Sequence, residues 1–333
     1  MPSMLRPPIA VLYGLLMLPS AGCAQLLYDV ESKPVVIWSE GTRMAGTLWR
    51  PEKAGDEPLP GLLLIHGWGG LRDHLDATYA PKFADAGFAV LTFDYRGWGD
   101  SDGKLVAEEP LPENSRVPGS NVTVAARVIR EVVDPYDQIE DVRSAFAWLL
   151  AEHGVDKERI GIWGTSYGGG HVVMLGASEP RVKAIVAQVG SQGGEESEEF
   201  RAHAHRRAAE KARGEIDPIP QGIDAVPGLS GTPDVAKMVR YRPILFADRV
   251  NVPTLFIDME DEELFDRTKN GLAAHEIVKA NTASRYVTHP GQHYDVYTRH
   301  YIAASDEALA WFVQHLKGKR EPKVDDATLP TSD

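Results

Sequence analysis

The sequence predicts an α/β fold, a mostly parallel twisted sheet with helices on both faces. Three observations carry this reading. Short, near-continuous apolar runs recur along the chain, as expected of strands buried on both sides. Between them lie stretches whose apolar residues keep helical spacing. Glycine-rich motifs follow several of the apolar runs, where ligands collect at the carboxyl ends of parallel strands. The 333 residues, 43% hydrophobic and 25% charged, have globular composition and enough length for a substantial core.

The elements follow in order. Pro34–Trp38 and Met44–Trp49 are β-branched or aromatic runs around the turn Glu40-Gly41-Thr42, and read as two strands. Gly61–Ile65 is an apolar strand ending in His66-Gly67. Tyr79–Ala86 reads as a helix stopped by Gly87, and Phe88–Phe93 as the next strand. Asp137–Ala151 places Ile139, Val142, Phe146, Leu149 and Leu150 on one helical face. Ile160–Trp163 is a strand, His171–Ala177 a helix, and Val182–Val189, Pro253–Ile257 and Arg285–Thr288 are further strands. Ser305–Lys317 closes the fold as an amphipathic helix. Two stretches break the alternation: Lys104–Asp134, and Ser191–Asp248, which is charged and carries Pro218, Pro220 and Pro227. Insertions of that length tend to be functional lids, so Ser191–Asp248 is expected to form a helical cap.

Composition excludes several function classes. A net charge of −13 lacks the footprint of a nucleic-acid binder. One cysteine permits neither an intrachain disulfide nor a Cys-rich metal centre. His203 and His205 with Glu198 and Glu199 read as a solvated face, so no metal is expected. Gly168-Gly169-Gly170 lacks dinucleotide-loop spacing, so no organic cofactor is expected either.

Residues 1–24 form a separate unit. One positive charge, Arg6, precedes the apolar stretch Ile9–Leu18 and the small residues Ser20, Ala21 and Gly22. This predicts a signal peptide and export to a bacterial periplasm or envelope, leaving residues 25–333 as one domain. Cys23 is a candidate lipid-bearing residue, and so a candidate membrane tether. The alternative is a mis-assigned start and a cytoplasmic enzyme.

Gly164-Thr165-Ser166-Tyr167-Gly168 is a G-x-S-x-G motif between a strand and a helix. That context puts a serine hydroxyl above the sheet on a sharp turn. The chain thereby resembles the α/β-hydrolase superfamily, in its dienelactone-hydrolase-like and X-Pro-peptidase-like serine branch. Three further segments carry the resemblance. Leu64-Ile65-His66-Gly67-Trp68-Gly69-Gly70 resembles the loop that supplies an oxyanion-hole N–H, which falls on Trp68, with Tyr167 as the second donor. His66 is read as a brace for that loop. Asp94-Tyr95-Arg96-Gly97-Trp98-Gly99-Asp100-Ser101 resembles the family's segment after the fourth strand, with Asp94 and Arg96 in structural roles. Pro290-Gly291-Gln292-His293-Tyr294 resembles the loop of the catalytic histidine, which falls on His293 rather than His289. Met259-Glu260-Asp261-Glu262-Glu263-Leu264 resembles the acid-bearing loop. There the acid falls on Glu262, where the family more often has Asp; Asp261 and Asp266 are the alternatives.

The resemblance implies an α/β-hydrolase that cleaves a small-molecule carboxylic ester or thioester through an acyl-enzyme on Ser166. His293 would relay the proton and Glu262 would orient it. Trp68, Tyr167 and Trp98 are expected to line an apolar pocket. A small-peptide peptidase or an acyltransferase is the alternative chemistry. A non-catalytic binding protein on the same fold is the alternative from another class.

Overall fold

The computed structural model describes residues 28–53, 55, 57–194, 196–218 and 221–318. The predicted leader at residues 1–24, with Cys23, lies outside the described residues. Eight strands form one sheet: β1 Val30–Ser39, β2 Thr42–Pro51, β3 Leu59–Ile65, β4 Ala89–Phe93, β5 Val155–Thr165, β6 Val182–Gln188, β7 Thr254–Met259 and β8 Ser284–His289. Their order across the sheet is β1-β2-β4-β3-β5-β6-β7-β8. β2 runs antiparallel to both β1 and β4, and every pairing from β4 to β8 is parallel.

Alternation along the central strands divides the core into two layers. In β3, Leu63 and Ile65 join one cluster with Phe146, Leu149 and Val172, while Leu62 and Leu64 join another with Phe83, Trp311 and Phe312. Successive side chains point to opposite faces, so a continuous apolar run is what two covered faces require. The first layer is covered by α3 (Pro135–Ala151), α4 (Tyr167–Gly176) and α7 (Gly271–Val278). The second is covered by α1 (Arg72–Asp76), α2 (Tyr79–Asp85) and α8 (Tyr301–Leu316).

The order reverses at β3: the chain leaves β3 for β4 on one side, then crosses back to β5 on the other. The loops after β3 and β5 therefore diverge and leave a crevice at the strand ends, the usual place for a ligand site in an open sheet.

Helix starts differ from the sequence reading for local reasons. α3 begins at Pro135 because Asp134 caps it, its carboxylate accepting from the N–H groups of Tyr136 (3.1 Å) and Asp137 (3.2 Å). α4 begins at Tyr167, so all three glycines of Gly168-Gly169-Gly170 are helical. Glycine disfavours a helix on propensity, and close packing overrides it here.

The segment 104–134 forms a hairpin of Leu105–Ala107 with Ala126–Val128, then the short strand Val132–Val133. That strand pairs in parallel with Thr232–Pro233 of the 191–248 insertion, so the two irregular stretches make one ribbon. The insertion contributes α5 (Glu198–Ala212), capped by Ser197, and α6 (Val235–Met238). Its last part, the 3-10 turn Pro243–Arg249, packs back on α4 and α7 and buries Ala247 in the main core.

Candidate active site

Ser166 sits between β5 and α4 at φ 53°, ψ −122°, a conformation disfavoured for a residue with a Cβ. Such a position costs about 1–3 kcal/mol and persists only where the surroundings over-determine it. Three backbone bonds do so. The Ser166 N–H donates to the Gln188 carbonyl (2.9 Å), and the Ser166 carbonyl accepts from Gly169 (2.9 Å) and Ser191 (3.1 Å). The motif's glycines are needed for close approach. A Cβ at Gly164 would lie 2.3 Å from the Gly168 carbonyl oxygen, and one at Gly168 would lie 2.6 Å from that of His66.

His293 follows β8 on a 3-10 turn, His293–Tyr297. Its Nε2 lies 3.1 Å from Ser166 Oγ, and its Nδ1 lies 2.9 and 2.8 Å from the two carboxylate oxygens of Glu262. The His293 and Glu262 side chains are both 1% exposed, so this pair is shielded from solvent, while Ser166 at its end is half-buried. Glu262 stands three residues past the end of β7 and also accepts from the Leu264 N–H (3.0 Å). The structure thus brings Ser166, His293 and Glu262 together. The alternative acids are elsewhere: Asp261 is exposed, and exposed Asp266 caps a short turn by accepting from Thr268 (2.9 Å). His289 ends β8 beside Glu307 and stacks on His300, away from this chain of bonds.

The loop after β3 passes directly beside the serine, since a Cβ at Gly67 would lie 2.7 Å from Ser166 Cβ. Among the described residues, the Trp68 backbone N–H has no acceptor. Tyr167, as the first residue of α4, has an N–H with no intrahelical acceptor. Their half-buried rings meet edge to face, with centroids 6.0 Å apart. The Trp68 indole N–H donates to the Ser230 carbonyl of the insertion (2.8 Å).

His66 is buried behind that loop, its Nδ1 3.0 Å from the Gly67 carbonyl, and the Tyr95 hydroxyl donates to the His66 carbonyl (3.1 Å). Burial pushes its imidazole down to about 4, so it is a neutral brace at neutral pH. Asp94 accepts from the N–H groups of Arg72 (2.9 Å) and Asp100 (3.2 Å), which closes its own loop. Arg96 spends its guanidinium on Asp141 (2.6 Å), Ser39 (2.7 Å) and Glu40 (3.0 Å), so it has no hand in the crevice. Trp98 is buried under the ribbon and donates to the Val132 carbonyl (3.3 Å), rather than lining a pocket. His203 pairs with Asp224 (2.8 Å) on the insertion.

Three features escaped the sequence. Glu263 accepts from the His293 backbone N–H (2.8 Å), so adjacent glutamates hold one histidine by two different atoms. Tyr297 lies beneath His293 and shares a 2.6 Å hydrogen bond with Thr165, the residue before the serine. Asp258 is buried near the end of β7 and accepts from the Tyr286 hydroxyl (2.9 Å). A lone aspartate inside the apolar run Leu255-Phe256-Ile257-Asp258-Met259 was the available signal for the last.

Burial pushes the Asp258 carboxyl from 3.8 up to about 7; the Tyr286 hydrogen bond opposes the shift and the Glu262 charge adds to it. The folded protein therefore holds that proton more tightly than the unfolded chain. Its contribution is fully present below the ordinary carboxylate value and is lost as pH rises towards 7. Asp258→Asn cannot ionise and should gain stability relative to the wild type between pH 4 and pH 8. Urea melts at the two pH values test this, and a difference that does not move with pH would count against it.

Comparison with known proteins places the chain. Residues 40–209 match the family described as X-Pro dipeptidyl-peptidase (S15 family). A 31.7 kDa Escherichia coli protein of the traX–finO intergenic region is 29% identical over 308 residues, covering 84% of this chain and 97% of that protein. Thiohydrolase aneE of Aspergillus aculeatus is 29% identical over 148 residues, covering 44% of this chain and 38% of that enzyme. The crystal structure of the α/β hydrolase GrgF from Penicillium sp. sh18 superposes with a TM-score of 0.62 at 17% identity, over 86% of this chain and 99% of that one. Matched by that family over half its length, and sharing the fold of an α/β hydrolase, the chain belongs to the S15 family of serine α/β-hydrolases and is a hydrolase.

Proposed function

We propose that the protein cleaves a small-molecule carboxylic ester or thioester through an acyl-enzyme on Ser166. The observation that carries the reading is the chain of hydrogen bonds from Ser166 Oγ through His293 to Glu262, with the His293–Glu262 pair shielded from solvent. A serine hydroxyl is a weak nucleophile until a base takes its proton, and His293 Nε2 lies within reach to do so. As Oγ attacks the acyl carbon, the proton passes to Nε2 and negative charge develops on the carbonyl oxygen. The backbone N–H groups of Trp68 and Tyr167 receive that charge, each worth about 10²–10³ in rate. His293 returns the proton as the alcohol or thiol departs. Water then attacks the acyl-serine by the same relay in reverse. The Glu262 carboxylate on Nδ1 selects the tautomer that leaves Nε2 free to accept, and it offsets the imidazolium charge.

A thiohydrolase among the relatives supports the ester or thioester over the amide. The family's peptidase name supports the other reading, and one experiment separates them. A fluorophosphonate probe should label Ser166 and abolish hydrolysis of p-nitrophenyl butyrate. Turnover of that ester should exceed that of an X-Pro p-nitroanilide. Faster cleavage of the anilide would replace the esterase reading with the peptidase one. Absence of labelling on Ser166 would remove both.

A further inference from the structure

The loop that carries the proposed oxyanion donor is braced at its first residue, where His66 Nδ1 lies 3.0 Å from the Gly67 carbonyl, but few bonds hold the residues after it. Its sequence is Gly67-Trp68-Gly69-Gly70, and its one internal backbone bond runs from Gly70 N–H to the Gly67 carbonyl (3.1 Å). Glycines leave such a segment many conformations to lose. The only side chain on it beyond a hydrogen atom is Trp68, whose indole N–H donates to the Ser230 carbonyl at 2.8 Å. The contact is reinforced along the backbone, since a Cβ at Gly69 would lie 3.2 Å from Ser230 Cβ.

Ser230 is itself held by the ribbon. The next residue, Gly231, has φ +83°, and a Cβ there would lie 2.5 Å from the Trp98 ring and 2.7 Å from the Glu131 carbonyl oxygen. Thr232 N–H donates to Glu131 (2.8 Å) and Asp234 N–H to Val133 (3.0 Å). Lys237 then pairs with Asp134, the cap of α3, while Lys211 pairs with Asp234 (2.6 Å). Two indoles from two body loops thus reach the ribbon: Trp98 donates to the Val132 carbonyl on one strand, and Trp68 to the Ser230 carbonyl two residues before the other.

We propose that the Trp68 side chain is a positioning residue, and that its bond to Ser230 makes the placement of the Trp68 backbone N–H beside Ser166 depend on a seated 229–233 ribbon. The inference rests on the serine mechanism proposed above. The ribbon contributes no reacting atom. It holds the donor loop, whose backbone N–H must meet an oxyanion that forms only in the transition state. A displacement of about 1 Å at such a donor suffices to cost up to 10²-fold in rate.

Trp68→Phe tests this, because it keeps an aromatic ring and the backbone N–H while removing the indole donor together with one ring of the indole; the Gly231 variant, which leaves Trp68 intact, controls for the lost ring. The expected result is a fall of about tenfold in kcat for p-nitrophenyl butyrate with KM little changed, since the lost interaction matters mainly in the transition state. Affinity for a butyl boronic acid, which mimics the charged tetrahedral intermediate on Ser166, should fall by a similar factor. Gly231→Ala, which pushes the ribbon off Trp98, should reproduce that loss. In the Trp68→Phe background it should add less than about twofold, because both changes cut one connection. Unchanged kcat and boronate affinity in folded Trp68→Phe would overturn the proposal. So would full additivity of the two substitutions. If Trp68→Phe fails to fold by circular dichroism, Gly231→Ala alone decides, through a matched loss or retention of kcat and boronate affinity. Ser166→Ala, assayed alongside, keeps the two ideas apart. Activity surviving in it removes the serine mechanism, whereas activity lost there and intact in Trp68→Phe removes the tether alone.

Discussion

Ser166→Ala is expected to lower kcat for p-nitrophenyl butyrate by about 10⁴–10⁶-fold while leaving the fold intact. On the proposed mechanism, the substitution removes the atom that forms the acyl-enzyme and leaves the proposed oxyanion donors in place. Residual rate over water then comes from those donors alone. Structure should survive because alanine, like serine, carries a single Cβ, and because the turn is held by the backbone bonds to Gln188, Gly169 and Ser191. Glu262→Gln should cost less, about 10³–10⁴-fold, because the histidine remains but its tautomer and charge are no longer matched to the task. The measurement is steady-state kinetics with circular dichroism on each variant. A Ser166→Ala enzyme retaining more than about a tenth of wild-type kcat would sink the mechanism.

The second large effect concerns stability. Arg96→Ala should destabilise the fold by about 3–5 kcal/mol, because it strands a buried charge. Asp141 is fully buried, and its two carboxylate oxygens are satisfied mainly by Arg96, through Nε at 2.6 Å and the backbone N–H at 2.9 Å. Burial already pushes the Asp141 carboxyl above its ordinary value, and Arg96 is what holds it back. Without the guanidinium the folded carboxyl rises further. An acid raised in the folded state loses stability as pH climbs from its unfolded value. The variant should therefore be more damaged at pH 8 than at pH 5, as read from urea midpoints at both. A loss independent of pH would point to lost packing of the arginine stem instead. Arg96→Ala with Asp141→Ala should recover part of the loss, since no orphaned charge remains.

The residues that the sequence resolved well share one property: their signal is local. Apolar runs such as Gly61–Ile65 and Phe88–Phe93 are buried strands in the structure, because strands covered on both faces need apolar side chains at most positions, and the one buried polar residue among them, Thr92, donates to Asp76 (2.6 Å). The serine motif was legible for the same reason, since its glycines answer to atoms four or fewer residues away or on the adjoining loop. What remained hidden depended on partners far along the chain. The family resemblance placed the acid on Glu262, but composition left Asp261 and Asp266 open beside it. Only the register that carries the β7 and β8 loops to one end of the sheet sets one of them 2.8 Å from His293. Arg96 is 45 residues from Asp141, and Trp68 is 162 from Ser230. The pairing of Val132–Val133 with Thr232–Pro233 involves too few residues for any pattern to show. By itself, then, the sequence determined the layered fold and the sharp turn that carries Ser166, and the resemblance supplied the order of serine, acid and histidine. Periodicity and glycine sterics act over a few residues and leave a readable trace. Only the tertiary structure decided which carboxylate meets the histidine and which carbonyl the Trp68 indole meets. Hydrogen bonds across the fold depend on a geometry that no short stretch of sequence contains.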